Sequence, residues 1–130
     1  MAETRTTVTP EQKIEIAREA LDNLNRGEVN PEALAADVVW HGALVGEQRG
    51  RDAVVAALKK QRAGFEEFRA EPHAILADAD HTVALVNLAF RTGGKAVTAQ
   101  QVIVVHSNDQ GQINEMWTML DADALKQIGR

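Results

Sequence analysis

The residue of this chain best suited to move a proton is His41, which directly follows Trp40 in the apolar run Val38-Val39-Trp40-His41. An imidazole of unperturbed pKa about 6.5 accepts and returns protons near neutrality. It also makes ordinary hydrogen bonds to backbone carbonyls, and the sequence leaves both uses open. Asp121 closes the last apolar run, where a carboxylate either accepts backbone amides or acts as an acid or base. Gln101 and Thr118 are polar residues in apolar company; they either satisfy one another or point into a wet pocket, where an amide and a hydroxyl can hold a ligand oxygen. Trp40, Ile103, Val105, Met116 and Leu120 are candidates for the wall of such a pocket and equally for ordinary core.

Other chemistries are excluded. His73, His81 and His106 are scattered without ligand spacing, so no metal site is expected, and no cofactor. There is no cysteine, which removes disulfides, thiol catalysis and thiolate metal sites. A net charge of -5 argues against nucleic acid as the partner. Lys59, Lys60 and Arg62 do cluster, but late in a helix, where cations suit the dipole and a solvated face is expected. No stretch approaches the roughly 20 apolar residues of a membrane helix, and the first residues lack the apolar core of a signal peptide; a cytoplasmic protein without membrane contact is expected.

The elements that must position these residues centre on 95–121. Two strands there flank the turn Asn108-Asp109-Gln110-Gly111, and a third, Thr82 to Arg91, joins them through Gly93-Gly94. Strand alternation puts Ala84, Val86, Leu88, Phe90, Ala99, Gln101, Ile103, Val105, Asn114, Met116, Thr118 and Leu120 on one face, the more apolar, expected against helices. Gln101 and Thr118 come out as cross-strand neighbours on it. Leu85, Val102, Val104, His106, Glu115, Trp117 and Met119 fall on the other.

Upstream, Thr9-Pro10-Glu11-Gln12 opens a helix with a capping box, Ile14, Ala17, Leu21 and Leu24 form its apolar stripe, and Gly27 ends it. A short helix is expected from Asn30-Pro31, a strand fragment at Val38 to His41, and a loop from Gly42 to Gly50. A helix follows from Arg51 to Gly64, then a strand from Phe68 to Ala77 that Pro72 marks as an edge or bend. Ala122 to Ile128 forms a last short helix. Residues 1–8 are expected as a loose tail and 9–130 as one domain. Helices first and antiparallel strands after imply an α+β fold.

The order of these elements, with Asp37-Val38-Val39-Trp40-His41-Gly42, the stretch from Gly46 to Val54, and Gly111-Gln112-Ile113-Asn114-Glu115-Met116-Trp117 followed by Asp121, resembles the SnoaL-like branch of the NTF2-like superfamily. The resemblance implies a cone-shaped α+β roll, also called cystatin-like, in which helices are wrapped by a strongly curved, mostly antiparallel sheet and a pocket opens at the wide end. It spans enzymes such as ketosteroid isomerase, polyketide cyclases and limonene-epoxide hydrolase as well as non-catalytic domains, so it does not settle function.

By the same resemblance, His41 stands where the isomerase carries its general base. The cyclases place an aspartate after the tryptophan of a Glu-His-Trp-Asp run, which here reads Glu115-Met116-Trp117-Thr118; a threonine is no base, which counts against aldol cyclisation by that route. The epoxide hydrolase's Asp-Arg-Asp set is missing, and the isomerase's oxyanion hole lacks its tyrosine, with an apolar residue near Ile103 in place of its acid. The expectation is a homodimer, joined through the outer sheet face around Leu85, Val102, Val104 and Trp117, whose pocket binds a small hydrophobic, carbonyl-bearing molecule. As an enzyme it would be a cofactor-independent isomerase or cyclase, with His41 as base, Asp121 as a further acid–base candidate, and Gln101 or Thr118 holding the oxygen. The alternative is a non-catalytic binding or dimerisation module.

Overall fold

The computed structural model describes residues 8–128; the expected tail, except Val8, and residues 129–130 lie outside the described residues. Helix α1 (Pro10–Asn25) starts where the sequence says it should. The Thr9 hydroxyl accepts from the Gln12 amide at 3.1 Å while the Gln12 side chain accepts from the Thr9 amide at 2.9 Å. Such a cap contributes about 1 kcal/mol. Gly27, at φ 77°, lets the chain leave the helix.

The expected second helix is a single 3-10 turn, Pro31–Ala33, capped by the Asn30 side chain. Leu34 is already extended, and strand β1 (Leu34–Gly42) is nine residues long rather than a fragment. The stretch expected as a loop contains a strand, β2 (Gly46–Arg49), which pairs antiparallel with β1. Nothing in Gly-Glu-Gln-Arg alternates; pairing with β1 makes it a strand. Helix α2 (Arg51–Ala63) buries Val54 completely and ends at Gly64.

Strands β3 (Glu67–Ala77), β4 (His81–Thr92), β5 (Lys95–Ser107) and β6 (Ile113–Leu120) form the expected meander, and α3 (Ala122–Ile128) follows. The six-stranded curved sheet runs β2-β1-β6-β5-β4-β3 and is antiparallel except where β1 lies parallel to β6. β3 is an edge strand and its register shifts just after Pro72, as a proline without an N–H requires.

The face assignment holds through most of the meander: Ala84, Val86, Leu88, Phe90, Ala99, Val105 and Met116 are buried inward, with Val97 beside them. Two details differ. The β5–β6 register slips between His106 and Ser107, so Ile113 is buried while the Asn114 amide oxygen bonds the His106 ring at 2.8 Å on the outer face. Gln101 stands opposite Leu120 and Thr118 opposite Ile103, so the two polar residues are diagonal rather than direct neighbours.

The helices are fastened to the sheet by side chains that reach backbone. Asn25 donates to the Ala70 carbonyl at 2.9 Å and accepts from the Ala70 amide at 2.7 Å, which locks the end of α1 to β3. Arg62 is not merely solvated: it donates to the Leu24 and Asn25 carbonyls at 2.9 and 3.1 Å and lies over the Phe68 ring. The C-terminal ends of α1 and α2 are thereby held together, and a hollow is left between them and the sheet.

Candidate functional site

The site is built outward from Trp40. Its side chain is 1% exposed, because β1 turns it into the layer between sheet and helices. Gly42 permits this: a Cβ there would meet the indole at 3.1 Å and Val45 at 2.9 Å. The indole Nε1 donates to the Thr118 hydroxyl at 3.1 Å, and the Ala43 amide donates to the same oxygen at 3.3 Å. A threonine hydroxyl has two acceptor positions and one proton. With both acceptor positions taken, the proton is left to point elsewhere, and Thr118 lines a cavity.

That cavity has a volume of about 180 Å³. Its walls bring together Trp40, Gln101, Ile103, Val105, Met116, Thr118 and Leu120, with Ala84, Leu88 and Phe90 from β4 and Leu21, Leu24, Leu58 and Phe65 from the helical side. The lining is predominantly apolar with few polar groups, the composition of a small-molecule site.

His41 lies elsewhere. Neighbouring residues of a strand point to opposite faces, so the inward Trp40 sends His41 outward. There its Nε2 is 2.7 Å from a Glu115 carboxylate oxygen, its Nδ1 is 3.6 Å from Glu47, and the ring stacks on Trp117 at 5.5 Å. The expectation that this imidazole looks into the hollow is therefore corrected. Asp121 is exposed and caps α3, accepting from the Ala124 amide at 2.8 Å and from the Gln100 amide at 3.3 Å. It borders a shallow outer groove with Arg69, Asn87 and Gln100 instead of the cavity.

The polar residues of the cavity that were not singled out from the sequence include Lys13, Thr82 and Ser107. Lys13, only 5% exposed, donates through Nζ to the carbonyls of Asp78, at 3.2 Å, and Ala79. A signal existed, since Lys13 precedes Ala17, Leu21 and Leu24 at helical spacing and so belongs to the inward stripe of α1. The turn it grips is shaped by Asp78, whose carboxylate accepts from the amides of His81 and Asp80, each at 2.8 Å. Those bonds hold its carboxyl below the usual carboxylate range, with the nearby His81 and Lys13 adding to the effect.

Among the described residues no group of three or more His, Asp or Glu side chains could hold a metal ion, and no helix is long and apolar enough to cross a membrane.

Known structures share this architecture. A protein from Jannaschia sp. CCS1 named for its likeness to SnoaL polyketide cyclases superposes with a TM-score of 0.80 at 16% identity, over 97% of this chain and 96% of its own. An NTF2-like protein of unknown function from Burkholderia pseudomallei K96243 gives 0.79 at 21% identity, over 91% and 98%. An LEH-like epoxide hydrolase from M. tuberculosis gives 0.76 at 19%, over 91% and 89%. At these identities the likeness is one of fold alone. No curated protein matches the sequence. The family model for the SnoaL-like domain matches residues 17–116, which takes in α1 from Ala17 onward, the Trp40 strand and the meander up to Met116, and the chain therefore belongs to the SnoaL-like family.

Proposed function

We propose that residues 9–130 act as one binding domain for a small, mostly apolar molecule carrying a carbonyl or hydroxyl oxygen. The observation that carries this reading is the Thr118 hydroxyl, held by two donors so that its own proton is free for an acceptor in the cavity. Gln101 adds an amide on the same wall. A volume of about 180 Å³ is near the roughly 150 Å³ that holds benzene and below the 300–1,000 Å³ usual for drug-sized ligands. One ring with a substituent fits better than a fused tetracycle. Binding without proton transfer is favoured because His41 is engaged with Glu115 on the far face and Asp121 is engaged in a cap.

The test is to titrate acetophenone and cyclohexanone, with benzene as the oxygen-free comparator, while following the Trp40 indole N–H by NMR. The ketones shift that resonance and T118V weakens them more than it weakens benzene. H41Q leaves their affinities within about twofold, since the ring lies outside the cavity. No shift of the indole at millimolar ketone would refute the reading, and so would deuterium exchange at the ketone α-carbon that H41Q abolishes.

We further infer a homodimer through the outer sheet face. Met119 is 49% and Leu85 36% exposed there, around half-buried Val102, Val104 and Trp117, an apolar surface that association would cover. Light scattering is expected to give a dimer for the wild type and a monomer for M119D; an unaltered mass for both would remove the interface.

A further inference from the structure

We propose that the ligand is an anion: a small ring carboxylate whose charged end docks on Lys13, Thr82 and Ser107. This rests on the binding reading above and specifies the chemical class of its ligand. Lysine is among the residues least often buried, and a cation in the first turn of a helix opposes the dipole. Lys13 does both, so something must offset the cost. An ammonium group has three donors. Two are taken by the carbonyls of Asp78 and Ala79; the Asp78 carboxylate is near enough to feel the charge, but it accepts from the His81 and Asp80 amides and makes no direct hydrogen bond with Nζ. The third donor is left at the wall of the cavity.

Two hydroxyls stand at the same end. Thr82, 3% exposed, is opposite Val105 on the neighbouring strand, and Ser107 is the next inward lining residue of β5. No other protein group bonds these hydroxyls among the described residues. A cation flanked by two hydroxyls suits the two oxygens of a carboxylate, and charge-assisted bonds are the stronger kind. The lining carboxylates, Glu19 and Glu28, are remote: six residues of helix put Glu19 about 9 Å along the axis from Lys13.

The strand register sets the ligand's length. Thr82 is opposite Val105 on one side of β5 and Thr118 opposite Ile103 on the other, so the two backbones are about 7 Å apart along β5 and about 10 Å apart across it, roughly 12 Å in all, which a single ring takes up with a hydrogen bond of about 2.8 Å at each end. Between them lie Ile103, Val105 and Met116, an apolar bed for one ring. A ring carrying a carboxylate and a second oxygen para to it meets both ends.

The experiment compares 4-hydroxybenzoate with its neutral amide, 4-hydroxybenzamide, by calorimetry and by the Trp40 indole shift, on the whole chain. The acid is expected to bind at least about tenfold tighter, the effect of one additional charge-assisted contact. K13Q keeps a donor for the turn carbonyls but loses the charge; it erases the preference of the acid over the amide, and K13R retains it. An amide that binds as tightly as the acid to the wild type overturns the inference and leaves the binding reading standing. Failure of either compound to move the indole overturns both. The wild-type comparison decides even if K13Q does not fold.

Discussion

Replacing Thr118 with valine keeps the branched shape and removes one oxygen, and its cost follows from the two donors that lose their acceptor. The Trp40 indole N–H is sealed from water, so losing its partner at 3.1 Å costs the full desolvation of a buried donor, about 2 kcal/mol. The Ala43 amide, at 3.3 Å and only half-buried, adds about 1 kcal/mol. The extra methyl of valine returns about 0.8 kcal/mol of apolar burial. T118V should therefore destabilise the fold by about 2 kcal/mol. In a W40F background the indole donor no longer exists, and the same substitution should cost close to nothing. Urea unfolding followed by far-UV circular dichroism, with m unchanged across the four proteins, measures the coupling as a double-mutant cycle. A T118V cost that is the same in both backgrounds to within about 0.5 kcal/mol would refute the hydrogen-bonded pairing of indole and hydroxyl.

Gly111, at φ 81°, has the Val8 side chain against it where a Cβ would go, whereas Gly94, at φ 77°, has open space. G94A should cost about 1 kcal/mol for the left-handed backbone alone, and G111A clearly more, as read by thermal melts; equal losses would mean that Val8 simply swings aside. Asp78 is held deprotonated by the His81 and Asp80 amides, so the stability it contributes is present above the ordinary carboxylate pKa of about 4 and is lost as pH falls through its lower folded value. Melting temperature should accordingly fall more steeply below about pH 4 for the wild type than for D78N, and parallel curves would contradict the assignment. D121A removes the acceptor of the Ala124 and Gln100 amides and should cost about 1 kcal/mol in urea without altering ketone affinity, while D121N recovers most of the stability.

How far the fold could be read in advance depended on whether the signal was local. The capping box at Thr9 and the turn at Gly93-Gly94 are complete within a few residues, and strands of twelve and thirteen residues alternate long enough to fix which face is inward. β2 and the first half of β1 carry no such signal. Glu47 and Arg49 become strand because β1 offers them a ladder, and the β1–β6 pairing joins Val39 to Glu115 across most of the chain. The same limit explains Asn114: one register slip at His106, invisible in the alternation, moved a residue to the other face.

The site divides along a different line. Its apolar wall and two of its polar members followed from parity, since Gln101, Ile103, Val105, Met116, Thr118 and Leu120 share one face of the meander. The error at His41 came from asking one strand for two things at once. Trp40 as wall and His41 as base cannot both face the same hollow in a regular β-strand, and the larger apolar side chain takes the inside because its burial is worth more. Lys13 was overlooked for the opposite reason: its type says surface while its position on the α1 stripe says core. Where type and position conflict, packing decides placement and chemistry must then account for the charge. Two placements support the proposed cavity that reads a ligand's charge instead of moving its protons: the inward lysine, with Thr82 and Ser107 lining the same cavity, and the imidazole turned outward onto Glu115.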